Sequence, residues 1–416
     1  MSNINDLINQ MCPNGVEYKH LWEMTSWDKR FKEVENNKQT KIDKYHYYLA
    51  AELDAILDES GDVKVLTTSK TDLHTTDDLA GDNVVDAEIV CIPWGGNPIV
   101  QYYKGKFVTG DNRIAQVLNP DELNAKYLYH AMNNQLKTIA SFYRGSGIKH
   151  PSMRDVLNLE IPVPPLPVQE EIVRILDKFT ELETELETEL EMRKKQYEYY
   201  RDEMLKFEGR DDVDWVPLSD IATSWERGNG IKRDEVTEDG QPCVRYGELY
   251  TSYGVHFNIC KSHTSEDVVS KPKIAKKGSI LFAITGESVE DIGTSTAYLG
   301  EDDIYVGGDL LIMNHNQDAK YLSYALSTTN ARIQKSKGKV KSKVVHTKKD
   351  DIAKIVVPIP RDINEQIRIA ELLDKFYNLI EGMDEGIPVE IGLRHQQYEY
   401  YRDKLLAFKR LECETA

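Results

Sequence analysis

The sequence predicts two tandem mixed α/β (α+β) globular domains, separated by long helices that pack as an antiparallel, coiled-coil-like spacer. Three observations predict it. The block Gln196-Tyr197-Glu198-Tyr199-Tyr200-Arg201-Asp202 recurs unchanged at 397–403. Shorter matches hold a near-constant offset of 194–201 residues: Ala125-Lys126-Tyr127-Leu128 with Ala319-Lys320-Tyr321-Leu322, Ile161-Pro162-Val163-Pro164 with Val357-Pro358-Ile359-Pro360, and Leu176-Asp177-Lys178-Phe179 with Leu373-Asp374-Lys375-Phe376. After each Pro-rich stretch the pattern turns to apolar residues three or four apart, the spacing of a one-faced helix.

Residues 1–165 make the first head. They are rich in Gly, Asn, Asp, Thr, Tyr and Val, with a strand-like run at 88–93 and a helical pattern at 121–138. Residues 166–209 follow as the first spacer helix. Ile172, Ile175, Leu176, Phe179, Leu182, Leu186 and Leu190 form its stripe, and from Gln169 to about Phe207 it would run roughly 58 Å at 1.5 Å per residue. A helix that long needs a partner along its length, and its own repeat is the natural one. Within it Thr180-Glu181-Leu182-Glu183 occurs three times in succession. Such a run is either a plain solvated face or a ruler, since each unit adds about 6 Å of helix.

Residues 210–360 repeat the head, with a strand-like run at 279–284 and a helical pattern at 319–335. Residues 361–416 repeat the helix, with a break near Gly386-Ile387-Pro388, a helix-ending glycine followed by a helix-starting proline. Antiparallel packing of the two helices would set one head at each end under approximate two-fold symmetry. The heads match poorly and the helices well, the pattern expected of one common docking element carrying two different reading surfaces.

At 416 residues the chain is too long for one ordinary domain. No apolar stretch approaches the roughly 20 residues of a membrane span, so no membrane partner is expected. The five cysteines (Cys12, Cys91, Cys243, Cys260, Cys413) have no CxxC or Cys/His ligand spacing. That excludes a zinc ribbon and favours a reducing, cytoplasmic setting. The net charge of −18 argues against nucleic acid if averaged over the chain. Electrostatic fields, however, act within about 8–10 Å. Much of the excess acid sits at 71–88 and 170–191, whereas 332–349 holds eight Lys/Arg and no Asp or Glu.

Taken together, Gln169-Glu170-Glu171-Ile172, Leu176-Asp177-Lys178-Phe179, the tetrapeptide repeats and Arg193-Lys194-Lys195 leading into Gln196–Asp202 resemble the DNA specificity subunit of Type I restriction-modification systems. The resemblance covers essentially the whole chain and is strongest in the helices. It implies that each head is a target recognition domain reading one half of a bipartite, asymmetric site on double-stranded DNA. It implies that the helices set the spacer and dock two methyltransferase subunits, and that restriction/translocase subunits join the complex. It also implies that S-adenosylmethionine belongs to the methyltransferase and that this chain needs no cofactor.

The sequence lacks the common catalytic motifs. Asn97-Pro98 is followed by Ile99 and Asn119-Pro120 by Asp121, so neither forms the Asn/Asp-Pro-Pro-aromatic grip of adenine methyltransferases. There is no GxxxxGK[ST] phosphate loop and no HExxH, and Gly145-Ser146-Gly147 and Gly228-Asn229-Gly230 read as loops. No catalytic residue and no metal site are expected.

Candidate DNA contacts follow from local charge. In the second head, Lys337, Lys339, Lys341 and Lys343 alternate with Gly338, Val340 and Ser342, which in an extended chain puts four ammonium groups on one face. Lysines along an exposed edge strand against aggregation would look the same. Arg332, Lys335, Lys348 and Lys349 extend the patch. The matching place in the first head holds Arg144, Lys149, His150 and Arg154. Further candidates mix charge with aromatics: Lys29 and Arg30 after Trp27, Lys104 and Lys106 after Tyr103, and Arg227, Lys232 and Arg233 after Trp225. Trp94 and Trp225 read as core. Tyr197, Tyr200 and Arg201, with their copies Tyr398, Tyr401 and Arg402, are predicted to bind a partner helix and a partner subunit. The competing reading of the whole chain is a coiled-coil adaptor that binds protein and no DNA.

Overall fold

The computed structural model describes residues 2–411 apart from 269, 287, 290, 339–344 and 382–385. The chain divides into two compact units, Met1–Thr184 with Leu393–Ala416, and Glu185–Gly392. Each unit joins one head to the opening part of the helix that follows it and to the closing part of the other copy's helix. The dividing point falls inside the Thr-Glu-Leu-Glu repeats, where Leu182, Leu186 and Leu190 are only half-buried.

In the first unit a six-stranded sheet runs in the order Thr25–Trp27, Asn112–Val117, Val85–Pro93, Gln101–Thr109, Val63–Leu66, Leu73–Thr75. Only Val63–Leu66 against Gln101–Thr109 is parallel. The predicted 121–138 helix is two pieces, Ala125–Asn134 and Leu136–Ser141. Its first piece is capped by the Asn124 side chain, which accepts the Lys126 and Tyr127 N–H groups. The second head differs in its sheets. One sheet orders Ala222–Arg227, Leu310–His315, Ile280–Ala283, Ser295–Tyr298, His256–Phe257, and a second five-stranded sheet has Gln241–Val244 at its centre. The predicted 319–335 helix also splits, into Ala319–Ser327 and Thr329–Ser336, because the Thr328 side chain caps a new start by accepting the Ala331 N–H.

The repeated segments make the same bonds in both units. Glu17–His20 pairs antiparallel with Glu160–Val163, as Val213–Pro217 does with Val356–Pro360. The Tyr127 hydroxyl donates to the Pro162 carbonyl at 2.9 Å, and the Tyr321 hydroxyl to that of Pro358 at 2.8 Å. Buried Gln169 accepts the Asn124 N–H and donates to the Glu122 and Pro164 carbonyls; Gln366 accepts the Asp318 N–H and donates to Gln317 and to the Pro360 carbonyl. Asp177 takes Lys126 and His130, and Asp374 takes Lys320, Tyr324 and His256. Burial pushes both carboxyls up, but these partners outweigh it and hold each below the usual carboxylate range, Asp374 far below.

The long helix spans Leu166–Met204. It starts three residues before Gln169 because Pro167 falls in the first turn, where its missing N–H costs nothing. It stops short of Phe207, which takes a positive φ of 47°. The second copy forms two helices, Ile363–Glu381 and Ile387–Leu405. Pro388 lies in the first turn of the latter. Gly386 has φ +121°, and a Cβ there would meet the Leu379 carbonyl oxygen at 2.8 Å.

Within each unit the helical segments run antiparallel. In the first, Phe179 stacks on Tyr401 at 5.3 Å and Glu183 meets His395 at 2.9 Å. In the second, Tyr200 lies 6.1 Å from Phe376, Tyr197 5.9 Å from Tyr377, and Lys194 2.8 Å from Glu381. Partner numbers fall as the long-helix numbers rise in both.

Candidate nucleic-acid interface

The structure brings most of the first head's candidates to one corner of its sheet. Val85–Pro93 ends there and Trp94 follows, its N–H donating to the Asp111 carbonyl at 2.9 Å. The short strands Tyr143–Arg144 and His150–Pro151 form a hairpin beside it. His150 lies 5.2 Å from the Trp94 ring, its Nδ1 is 2.7 Å from the Trp94 carbonyl, and the Lys149 carbonyl accepts the Gly96 N–H at 3.1 Å. Lys29 sits over the Trp94 ring at 4.8 Å. Burial, then Arg113, lowers the Lys29 pKa. Arg144, Lys149 and Arg154 are exposed on the same hairpin and the turn after it. Arg30 is exposed and donates to Asn36.

Two residues of this corner were not predicted. Trp94 is half-buried and presents a ring to the basic groups around it. Arg113 is only 1% exposed and lies 4.9 Å from the Trp94 ring. It pairs with Asp28 at 2.7 Å and with Asp111, and Asp28 also accepts the Tyr47 hydroxyl at 2.6 Å and the Ile114 N–H at 3.0 Å. Burial raises the Asp28 pKa against the pull of Arg113. This network fixes the floor on which Lys29 and Trp94 sit. An arginine between Asn112 and Ile114 in a short strand normally reads as solvent-facing, so sequence carried no signal for it.

The second head builds the same corner from other residues. The Ile284 N–H donates to the Asp309 carbonyl at 3.0 Å, as Trp94 does to Asp111, and Val345–His346 takes the place of His150–Pro151. Arg227 donates to the Gly308 carbonyl at 3.0 Å and pairs with Asp309 at 3.3 Å. Close packing of backbone shapes the edge: a Cβ on Gly228 would meet the Gly307 oxygen at 2.1 Å. Exposed Arg233, with Arg245, Tyr246 and Tyr250, lines a cavity of about 530 Å3 there. Lys348 is exposed just after His346.

Other candidates are placed differently. Lys104 pairs with Glu88 at 3.2 Å and Lys106 with Asp77 at 2.7 Å, and neither touches the Trp94 corner. Lys232 pairs with Glu235. In the basic run, Arg332 pairs with Glu198 of the long helix at 2.9 Å. Lys335 turns inward, donating to the Ser295 hydroxyl at 2.9 Å and the Leu326 carbonyl at 2.8 Å, which corrects the expectation of an outward phosphate contact. Lys337 is exposed at the end of the Thr329–Ser336 helix, and Lys339, Lys341 and Lys343 lie outside the described residues.

The repeated tyrosine motif meets its partner helix at Tyr197, Tyr200 and Tyr401, and its buried members also hold the heads. Tyr197 and Arg201 are 6% and 1% exposed, and Asp202 accepts the Thr329 N–H of the second head at 3.1 Å. Tyr398 is 7% exposed with its hydroxyl 3.4 Å from His130 of the first head, and Arg402 donates to Asn134 at 3.2 Å. These positions fasten the helices to the chain's own heads. Tyr401 stacks on Phe179 and Tyr200 lies against Phe376, whereas Tyr199 and Tyr400 stay 62% and 60% exposed. Among the described residues, no group of His, Cys, Asp and Glu could hold a metal, and no helix is long and apolar enough to cross a membrane.

Two different corners on a duplicated frame suit a chain that reads two different targets. The model of the Type I restriction modification DNA specificity domain matches this chain twice, at residues 30–192 and 210–392. The chain belongs to that family. It is 32% identical over 298 residues to the Type I restriction enzyme EcoR124I/EcoR124II specificity subunit of Escherichia coli, covering 69% of this chain and 72% of that one. Over 320 residues it is 24% identical to the Type I restriction enzyme MjaVIII specificity subunit of Methanocaldococcus jannaschii, covering 72% and 74%. Its fold matches the crystal structure of a Type I restriction-modification S subunit from M. genitalium with a TM-score of 0.53, at 16% identity over 94% of this chain and 96% of that one. The role of this family member is DNA sequence specificity within a restriction-modification complex, and nothing among these relatives supports the adaptor reading.

Proposed function

We propose that each head reads one half of a bipartite DNA site through the corner just described. The first head would use Lys29, Arg144, Lys149, His150 and Arg154 around Trp94, and the second Arg227, Arg233 and Lys348. The observation that carries this is the shared backbone corner, Trp94–Asp111 in one head and Ile284–Asp309 in the other, furnished with different side chains. Lysines there hold phosphate and set register, while arginine and histidine can reach base edges. Arg113 supports this surface without touching DNA.

The helices would set the spacing between half-sites and dock two methyltransferase subunits. Tyr199 and Tyr400, exposed at matching positions in the two copies, offer side chains for that contact. Catalysis and S-adenosylmethionine would belong to the methyltransferase, and cleavage to restriction/translocase subunits. The test is methylation mapping in cells that express this chain with a cognate methyltransferase, with residues 20–161 replaced by another first head. One half of the methylated motif should change and the other persist; a motif that changes throughout would sink the two-reader proposal. Deleting residues 184–187 shortens the helix by about 6 Å and should shorten the gap by one or two base pairs. An unchanged gap would remove the ruler.

A further inference from the structure

The second unit contains a cavity of about 440 Å3 lined by the closing part of the long helix, the head and the Ile363–Glu381 helix. Its size falls in the range of small-molecule pockets, roughly 300–1,000 Å3. One side is cationic. Lys335 uses two of its three N–H bonds, on Ser295 and the Leu326 carbonyl, and among the described residues no carboxylate is paired with it. Arg201 and Arg332 flank it, and Lys194 stands nearby. The lining acids are already engaged, Glu198 by Arg332 and Glu381 by Lys194. Asp202 takes the Nε and Nη2 groups of Arg201, which leaves that guanidinium donors to spare.

A second observation points to a missing acceptor. The Tyr197 hydroxyl lines this cavity and is buried beside Arg201, which can only donate to it, and among the described residues no acceptor takes its proton. Leaving a buried polar group unmatched is unfavourable. Burial, then Arg332 and Arg201, pushes the Lys335 amine down to about 7. The other side of the cavity is apolar, with Leu249 and Ile292, and bears the rings of Tyr253 and Tyr377.

We propose that this cavity binds a small phosphate-bearing molecule of mononucleotide size, its phosphate held by Lys335, Arg332 and the Tyr197 hydroxyl and its organic part lying against Tyr253 and Tyr377. Donors converge from an ammonium and a guanidinium on the Thr329–Ser336 helix and a phenol on the long helix, which suits the three free oxygens of a phosphate monoester better than a flat carboxylate. At the 194-residue offset of these helices the first unit has Thr138 and Ser141 where the second has Arg332 and Lys335, so the cationic cluster is particular to the second. This site is independent of how the heads read DNA.

The test is equilibrium binding of AMP to the full-length chain at pH 6.5, with inorganic phosphate and adenosine as comparators. AMP and phosphate should bind saturably and compete, and adenosine should bind about tenfold more weakly or not at all. Lys335→Met should weaken AMP by about tenfold or more, the size expected for a hydrogen bond to a charged group. Affinity should also fall as pH rises past 7. Adenosine binding as tightly as AMP, or no saturable binding of AMP or phosphate, would overturn the proposal. If Lys335→Met misfolds, Tyr197→Phe removes only the hydroxyl, and unchanged AMP affinity in that variant overturns it equally. Displacement of AMP by duplex DNA would transfer the site to the DNA backbone and overturn the small-molecule occupant.

Discussion

Trp94 and Ile284 hold the same place in the two heads: each ends a central strand and donates its N–H to the carbonyl of an aspartate, Asp111 or Asp309. Around Trp94 stand a buried arginine, a lysine over the ring and a histidine beside it. Around Ile284 the arginine, Arg227, lies at the surface and the wall is glycine backbone. The repeated frame agrees closely, in Gln169 and Gln366, Tyr127 and Tyr321, Asp177 and Asp374, with only some partners exchanged. Divergence gathers where a ligand would be read, and identity gathers where the chain holds itself together.

The largest effect should come from separating one unit from its borrowed helix. Replacing Tyr398, Leu405 and Leu406 together by alanine removes three buried side chains from the first unit's core. At about 1.5–3 kcal/mol each, that approaches the roughly 5–15 kcal/mol stability of a domain. Hydrogen exchange should rise across residues 17–163 and stay unchanged across 213–360. Equal loosening of both would mean the two units are not separate.

Next is the floor of the first corner. Arg113→Met strands buried Asp28 and should cost about 3–5 kcal/mol, whereas Arg113→Met with Asp28→Asn should cost clearly less. Urea unfolding of the two variants decides it, and equal losses would show that the pair has no coupling.

A smaller effect distinguishes His130 from Tyr324, its counterpart. Burial, partly offset by Asp177, keeps His130 below the ordinary histidine value. It therefore takes up a proton less readily folded than unfolded. Its contribution is full above about pH 6.5 and drains as pH falls. His130→Tyr should flatten that loss in the first unit, while the second keeps its own from half-buried His315, whose pKa is also lowered. A melting profile across pH 5–7 that does not change would refute this.

The smallest effect is on DNA affinity itself. Lys149→Ala should reduce the slope of log affinity against log salt by about 0.9, while Lys104→Ala, whose ammonium is already paired with Glu88, should leave it unchanged. Equal changes would erase the distinction between corner and sheet lysines.

What the sequence revealed follows the same division. The duplicated helices, their antiparallel sense and the two heads were legible because repeated residues do repeated work. The basic hairpin at Arg144–His150 was legible because its charge is local. Lys335 was misplaced because a basic run gives no sign of which member turns inward after a capping threonine breaks the helix. Tyr197 and Tyr398 were read as contacts for a partner helix and a partner subunit, and their hold on the chain's own heads was missed because a motif's copies do not reveal which head each one meets. Arg113 was invisible since its acid, Asp28, lies 85 residues away.

The borrowed helix also has a consequence in time. Ribosomes add roughly 5–20 residues per second. The first unit's opening stretch ends at Thr184, yet its closing stretch begins at Leu393. The first head must therefore wait about 10–40 s, at that rate, for Tyr398 and Leu405 to emerge. The second unit has every part it needs once Gly392 is made, so the domain translated first is the one completed last.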